Sequence, residues 1–155
     1  MSAPVFVRLA LPSDLSVVAD QLFALWPDGS LSEHMTEAAA ILTGKPRSTM
    51  PLVVFVAEAL GKVVGLVEVG LRSHADGCDA RKPVAFIEGW FVEPEHRRSG
   101  VGRALLRAAE EWALAQGCDE MASDTWMDNE TSHRAHTALG FEVVDKCVNY
   151  KKALR

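Results

Sequence analysis

Apolar and polar positions alternate with two different periods along these 155 residues, and the switches between periods outline the elements. Val5 to Leu9 has the short alternating pattern of a strand. Ser13 then stands where a helix cap belongs, ahead of Leu15, Val18, Leu22 and Leu25 at helical spacing, with Pro27 ending the run. A second helical pattern, Met35, Ala39 and Leu42 after a capping Ser32, stops at Gly44, a residue suited to the left-handed terminating position. Leu52 to Ala59 and Val63 to Arg72 are rich in β-branched residues and flank Gly61, which predicts an antiparallel hairpin. Ser73 to Pro83 reads as a loop.

Val84 to Val92 is the next strand, ended by Glu93-Pro94-Glu95. Helical spacing returns from about Gly100 to Gln116, with Val101, Leu105, Ala109 and Trp112 as the buried stripe and Gly117 as the stop. Met121 to Thr125 has the length of a short strand, Asn129 to Leu139 that of a helix closed by Gly140, and Phe141 to Lys151 makes a final strand. No repeat, low-complexity stretch or linker interrupts this order, so a single mixed α/β domain over 1–155 is expected. The helix after Val92 joins two strands that the right-handed crossover rule makes parallel.

Composition agrees with a compact domain, 48% hydrophobic and 24% charged. The first eleven residues carry Pro4 and Arg8 and lack the apolar run of a signal peptide, and no apolar segment of about 18 residues could span a bilayer. A cytoplasmic protein without membrane contact is expected. Cys78, Cys118 and Cys147 are odd in number and lack metal-ligand or redox spacing, which reads as reduced thiols. A net charge of −5 argues against nucleic acid and accommodates a cationic ligand, though mild acidity also serves solubility alone.

The chemistry gathers at the strand-to-helix junction after Val92, where Arg97-Arg98-Ser99-Gly100-Val101-Gly102 has the form Arg-x-x-Gly-x-Gly. A helix N-terminus presents unpaired N–H groups, and glycines let a pyrophosphate approach them closely. Arg97, Arg98 and Arg103 add full charges; a solvated basic turn is the other reading of these residues alone. Two carboxylates break apolar patterns: Glu88 in its strand, and Asp124 at the end of the short Met121-Ala122-Ser123-Asp124 strand. A charge within a sheet needs a partner or a cleft. A solvent-facing Glu88 and an Asp124 that caps the following turn remain open as alternatives.

With an extended strand before the loop, an amphipathic helix after it and Ala138-Leu139-Gly140-Phe141 downstream, the chain resembles the GNAT acetyltransferases over about Leu52 to Tyr150. The resemblance implies a GNAT fold, a central mixed and mostly antiparallel sheet flanked by about four helices, whose fourth and fifth strands splay apart around acetyl-CoA. Backbone groups of Trp90, Phe91 and Val92 would then hold the pantetheine arm, and Arg97 through Arg103, with Ser99, Gly100, Val101 and Gly102, the phosphates. Gly89, which interrupts an apolar strand, marks a bulge or close backbone approach where a freed N–H would face the thioester oxygen; room for a large neighbour such as Trp112 is the alternative.

Leu25-Trp26-Pro27, Gly77-Cys78-Asp79, Phe86-Ile87-Glu88-Gly89, Met121-Ala122-Ser123-Asp124-Thr125 and His136 through Glu142 further resemble the aminoglycoside 6′-N-acetyltransferases. That resemblance implies antibiotic resistance through direct acetyl transfer in a ternary complex, with no metal. It assigns Trp26, His74, Glu88, Asp124 and Asp145 to the substrate, Asn129 to the coenzyme and Asp124 to proton acceptance. His136 stands where many relatives have a tyrosine that protonates the leaving thiolate, and Tyr150 is a second candidate acid. A homodimer, with its C-terminal strands exchanged, is also implied. Acetylation of another small amine, polyamine or peptide is the alternative activity, and a non-catalytic acyl-CoA-binding module the third reading.

Overall fold

The computed structural model describes residues 3–155; Met1 and Ser2, at the head of the stretch read for a leader, lie outside the described residues. Five strands form one sheet in chain order: β1 (Val5–Leu9), β2 (Leu52–Ala59), β3 (Lys62–Arg72), β4 (Val84–Val92) and β5 (Met121–Ser123). The first three pairings are antiparallel and β4 with β5 is parallel, as the crossover through α3 (Val101–Ala115) requires. The hairpin between β2 and β3 turns on Leu60 and Gly61, both at positive φ (51° and 74°), the twist that tight two-residue hairpins need.

Side-chain alternation splits the sheet into two apolar faces. Val67, Val69, Ala85 and Ile87 point toward α3, whose Val101, Leu105, Leu106, Ala109 and Ala113 cover them. Val54, Val56, Leu66 and Phe91 point the other way, against α1 (Leu15–Leu25) and α2 (Leu31–Leu42) through Val18, Leu22 and Ala38. Each face is made mainly of aliphatic side chains, so burial supplies most of the driving force. The last helix, α4 (Glu130–Ala138), has no buried residue; it ends beside Gly140 at φ 91°.

Several sequence expectations shift. The turn ahead of α1 is a short 3-10 segment, Pro12–Asp14, and Asp14 rather than Ser13 occupies the cap position. The cap of α2 is Ser30, not Ser32: its hydroxyl accepts the Glu33 N–H while the Glu33 carboxylate accepts the Ser30 N–H, a reciprocal pair that fixes the helix start. The inward face of α2 is rotated accordingly, burying His34 and Ala38 in place of Met35, Ala39 and Leu42. On α3 the stripe continues through Ala113, and Trp112 is only half-buried.

The largest departure is Phe141 to Lys151, which forms no strand. Alternation alone cannot make a strand without an edge to pair with, and none is taken within this chain. Phe141 still packs edge-on against His136 at 5.1 Å, but Val143, Val148, Tyr150 and Leu154 are exposed.

Candidate active site

The parallel ladder between β4 and β5 is three residues long, from Ala85↔Met121 to Ile87↔Ser123. Past it, β4 continues to Val92 without a partner on that edge among the described residues. The Glu93 N–H bonds the Val64 carbonyl at 2.9 Å on the β3 side, so alternation turns the Phe91 backbone toward β3 and those of Trp90 and Val92 toward the opening. The expected trio is thereby reduced: Phe91 spends its backbone on the sheet and its side chain on the core, and the Val92 carbonyl already accepts the Arg97 Nε–H at 2.8 Å. The Trp90 groups and the Val92 N–H face the opening.

At the end of β4 the loop leads into α3. Arg98 and Gly100 take left-handed conformations (φ 60° and 89°), and the first helical bond runs from the Ala104 N–H to the Gly100 carbonyl at 3.0 Å. The N–H groups of residues 98 to 103 have no backbone acceptor among the described residues. Six donors at a positive helix end, beside exposed Arg98 and Arg103, make a cradle for phosphate oxygens. The two glycines differ in purpose. Gly100 permits the left-handed turn, whereas a Cβ on Gly102 would lie 3.2 Å from the Trp90 ring, so Gly102 lets α3 approach β4. The buried Trp90 Nε1 donor lacks a protein partner at this same junction. Coenzyme A therefore fits: unpaired donors for its phosphates, and an open strand edge for its amide-bearing arm.

The opposite wall depends on a bulge. Glu68 pairs with Gly89 and Val69 with Ile87, leaving Glu88 as the extra residue of β4. Glu88, two residues on from Phe86, lies on the face turned away from α3, and the inserted residue brings Gly89 onto that same face opposite Glu68. There both Glu88 oxygens accept from Arg72, at 2.8 Å each, and the Arg72 guanidinium lies over the Phe86 ring at 3.4 Å. Asp124 follows Ser123, the partner of Ile87, and so comes beside this wall, where its charge adds to that of Glu88 in stabilising the Arg72 cation. Gly89 does leave space for a large neighbour, but it is Trp26: a Cβ there would sit 2.8 Å from the indole tip. Trp26 is 37% exposed, stacks on His34 at 6.4 Å, and its carbonyl accepts from His34 Nε2 at 3.0 Å.

Glu68 was not picked out in the sequence, although it breaks the apolar run of its strand as Glu88 does. It is 9% exposed, and burial, reinforced by the Glu88 and then the Glu37 charges, pushes its carboxyl up to about 7. Arg72 and Glu37 were missed likewise, because their relevance comes from the bulge and from the packing of α2.

On the other side of the opening, His136 is held in place. Its Nδ1 lies 2.8 Å from the Ser132 carbonyl, which can only accept, so in the neutral ring Nε2 accepts from the Ser123 hydroxyl at 2.7 Å. Trp90 and Phe141 meet the ring edge-on. Ser123 is thus a further polar group at the ladder's last pair. Asn129 caps α4 by accepting the Ser132 N–H at 3.1 Å. The remaining sequence candidates stand apart: His74 is exposed and faces Asp76 at 3.5 Å, Asp145 accepts the Lys146 N–H, and Tyr150 is 93% exposed. None of these three bonds to the Glu88 wall. No group of three or more potential metal ligands occurs among the described residues.

The family description "Acetyltransferase (GNAT) family" matches residues 17–141. The chain is 44% identical over 130 residues to an aminoglycoside N(6′)-acetyltransferase type 1 of Klebsiella aerogenes, covering 84% of each protein. It is 39% identical over 156 residues to the type 1 enzyme of Stenotrophomonas maltophilia, covering 99% of this chain and 95% of that one. Among solved structures it is similar to AAC(6′)-Iy in complex with the bisubstrate analogue CoA-S-monomethyl-acetylneamine, with a TM-score of 0.87, 33% identity and coverage of 97% and 99%. AAC(6′)-Ih from Acinetobacter baumannii superposes with a TM-score of 0.85 at 31% identity, covering 98% and 100%.

Proposed function

The chain belongs to the acetyltransferase (GNAT) family and is an acetyl-CoA-dependent N-acetyltransferase, and from this premise we propose that it acetylates the 6′-amino group of aminoglycosides. The observation that carries the proposal is the wall of Glu68, Glu88 and Asp124 beside Trp26, next to the opening between β4 and β5. An aminoglycoside is a rigid polyamine, so carboxylates match its ammonium groups and an indole face matches its sugar rings. Relatives named for this reaction cover nearly the whole chain.

Acetyl-CoA supplies the thioester whose carbonyl is attacked. Residues 98 to 103 hold its phosphates through their N–H groups, and Trp90 and Val92 offer backbone groups to its arm. Asp124, exposed at the end of β5, takes the proton from the reacting amine. On the far side, the departing thiolate takes up a proton from solvent beside the Ser123–His136 pair, in which the Ser123 hydroxyl donates to His136 Nε2. Asn129 keeps its amide N–H groups free for the coenzyme.

The same reading makes 1–155 one domain of a cytoplasmic enzyme that confers aminoglycoside resistance and works as a homodimer. Exposure of Val143, Val148, Tyr150 and Leu154 on a segment that joins no strand among the described residues supports a second copy as its cover. Sedimentation at micromolar concentration should give twice the chain mass, and a monomer would refute the dimer. The activity is tested by CoA release with kanamycin A, which carries a 6′-amine, paromomycin, which carries a 6′-hydroxyl, and spermidine. Turnover of kanamycin A alone is expected; turnover of spermidine alone would reassign the substrate.

A further inference from the structure

We propose that Glu68, rather than the Arg72-bound Glu88, is the carboxylate that receives a substrate ammonium on the wall formed by β3, β4 and α2. This rests on the aminoglycoside reading and adds a residue role and a proton linkage to it.

Glu88 is the more visible candidate, yet both its oxygens are committed to one guanidinium at 2.8 Å. A second cation would have to compete with that bidentate pair. Glu68 has no such commitment. It is 9% exposed, forms no hydrogen bond or ion pair among the described residues, and its oxygens are not sealed from solvent. A buried carboxyl without a partner is costly, and replacement of the charge would relieve that cost. Its partner therefore comes from outside the chain.

The surroundings specify what that partner is. From β2, Glu68 faces Val54, which is apolar. From β4 it faces Gly89, which has no side chain, with Leu25 and Trp26 at the end of α1 lying over that gap, and the bulged Glu88. From α2 comes Glu37. The charged groups turned toward Glu68 are both acidic, while Arg72, one pleat beyond Gly70 on the same strand, is bound to Glu88. A small cation reaching Glu68 beside the indole that packs on Gly89 would meet apolar and aromatic walls and one uncommitted carboxyl.

Proton balance follows. With its carboxyl raised to about 7, Glu68 is close to half protonated at neutral pH. An incoming ammonium favours the ionised form, so the neutral acid becomes a carboxylate–ammonium pair and its proton leaves to solvent. The affinity for the amine then weakens as pH falls below 7, by about ten-fold between pH 8 and pH 6.

Carbon-detected NMR titration of the side-chain carboxyls tests this on the wild-type protein, with and without kanamycin A and with no acetyl donor present. One glutamate, assigned to Glu68, should titrate near 7 in the free protein, and kanamycin A should move that midpoint down by at least about one pH unit. In parallel, Glu68→Gln should flatten the wild-type pH dependence of the kanamycin A KM between pH 6 and 8 by about ten-fold. The acetyl-CoA KM should stay unchanged. A Glu68 midpoint that kanamycin A leaves in place overturns the proposal whether or not the variant folds. Absence of wild-type turnover with kanamycin A would instead refute the substrate reading, so the two failures are separable.

Discussion

Replacing Glu68 by glutamine should make the folded protein more stable above neutral pH and change little near pH 4.5. The shape and size of the side chain are kept, and no hydrogen bond or ion pair to Glu68 is lost. What changes is a titration. The unfolded chain binds a proton at this carboxyl with the ordinary midpoint of 4.5, the folded chain with one of about 7. Between those values the native state holds a proton that the unfolded state has released, so wild-type stability declines as pH rises through that window and is level beyond it. A displacement of this size corresponds to up to about 3 kcal/mol. Residual solvent contact at 9% exposure leaves most of that figure undiminished. For a domain of this length, about 3 kcal/mol moves the melting temperature by roughly 6–12 °C. Calorimetric melts of both proteins at pH 5 and pH 8, at one protein concentration and without ligand, give four values. The gap in favour of the variant should open between the two pH values. Groups common to both proteins, Asp14 among them, cancel in this difference. If the two melting temperatures shift in parallel with pH, Glu68 is not a neutral acid in the folded state and the account of its environment is wrong.

Gly100→Asp should weaken acetyl-CoA binding by about ten-fold or more, because it sets a negative charge at the donor end of α3; calorimetric titration of the folded variant reads this directly. Asp124→Asn should lower kcat by about a hundred-fold and leave coenzyme affinity close to wild type, and steady-state kinetics across pH separates that from a capping role. Asp14→Ala should cost about 2–4 kcal/mol in urea unfolding, since Asp14 is buried and accepts from Arg8 at 2.7 and 3.1 Å and from the Leu11 N–H at 2.7 Å. The Arg8 hydrogen bonds hold the Asp14 carboxyl below its ordinary range, so this stabilisation is present above that range and is lost in wild type as pH falls through the lowered value.

Strands β1 to β4 were legible because β-branched runs and the glycines and prolines near their ends carry strong local signals. Gly61 and Gly100 were readable for the same reason: each is demanded by its own backbone conformation. The start of α2 was misplaced although its signal was present, since Ser30 with Glu33 three residues later makes a capping box and Ser32 does not. Two residues of error there rotated the whole face and hid His34. The acidic wall was less legible, because the placing of Gly89 opposite Glu68 depends on the bulge that leaves Glu88 unpaired. Pairing across strands is not written in either strand alone. Phe141 to Lys151 shows the complementary limit: its pattern is that of a strand, yet it pairs with no edge among the described residues.

The bulge at Glu88 also bears on how such a protein could gain or lose its chemistry. Because Glu88 is the residue without a counterpart on β3, deleting it would join Ile87 to Gly89 and restore an unbroken ladder. Val69↔Ile87 and Glu68↔Gly89 would remain neighbours, and no apolar side chain would change faces. A single in-frame codon loss would therefore leave a foldable scaffold without the Glu88–Arg72 pair, and the reverse insertion would supply it in one step.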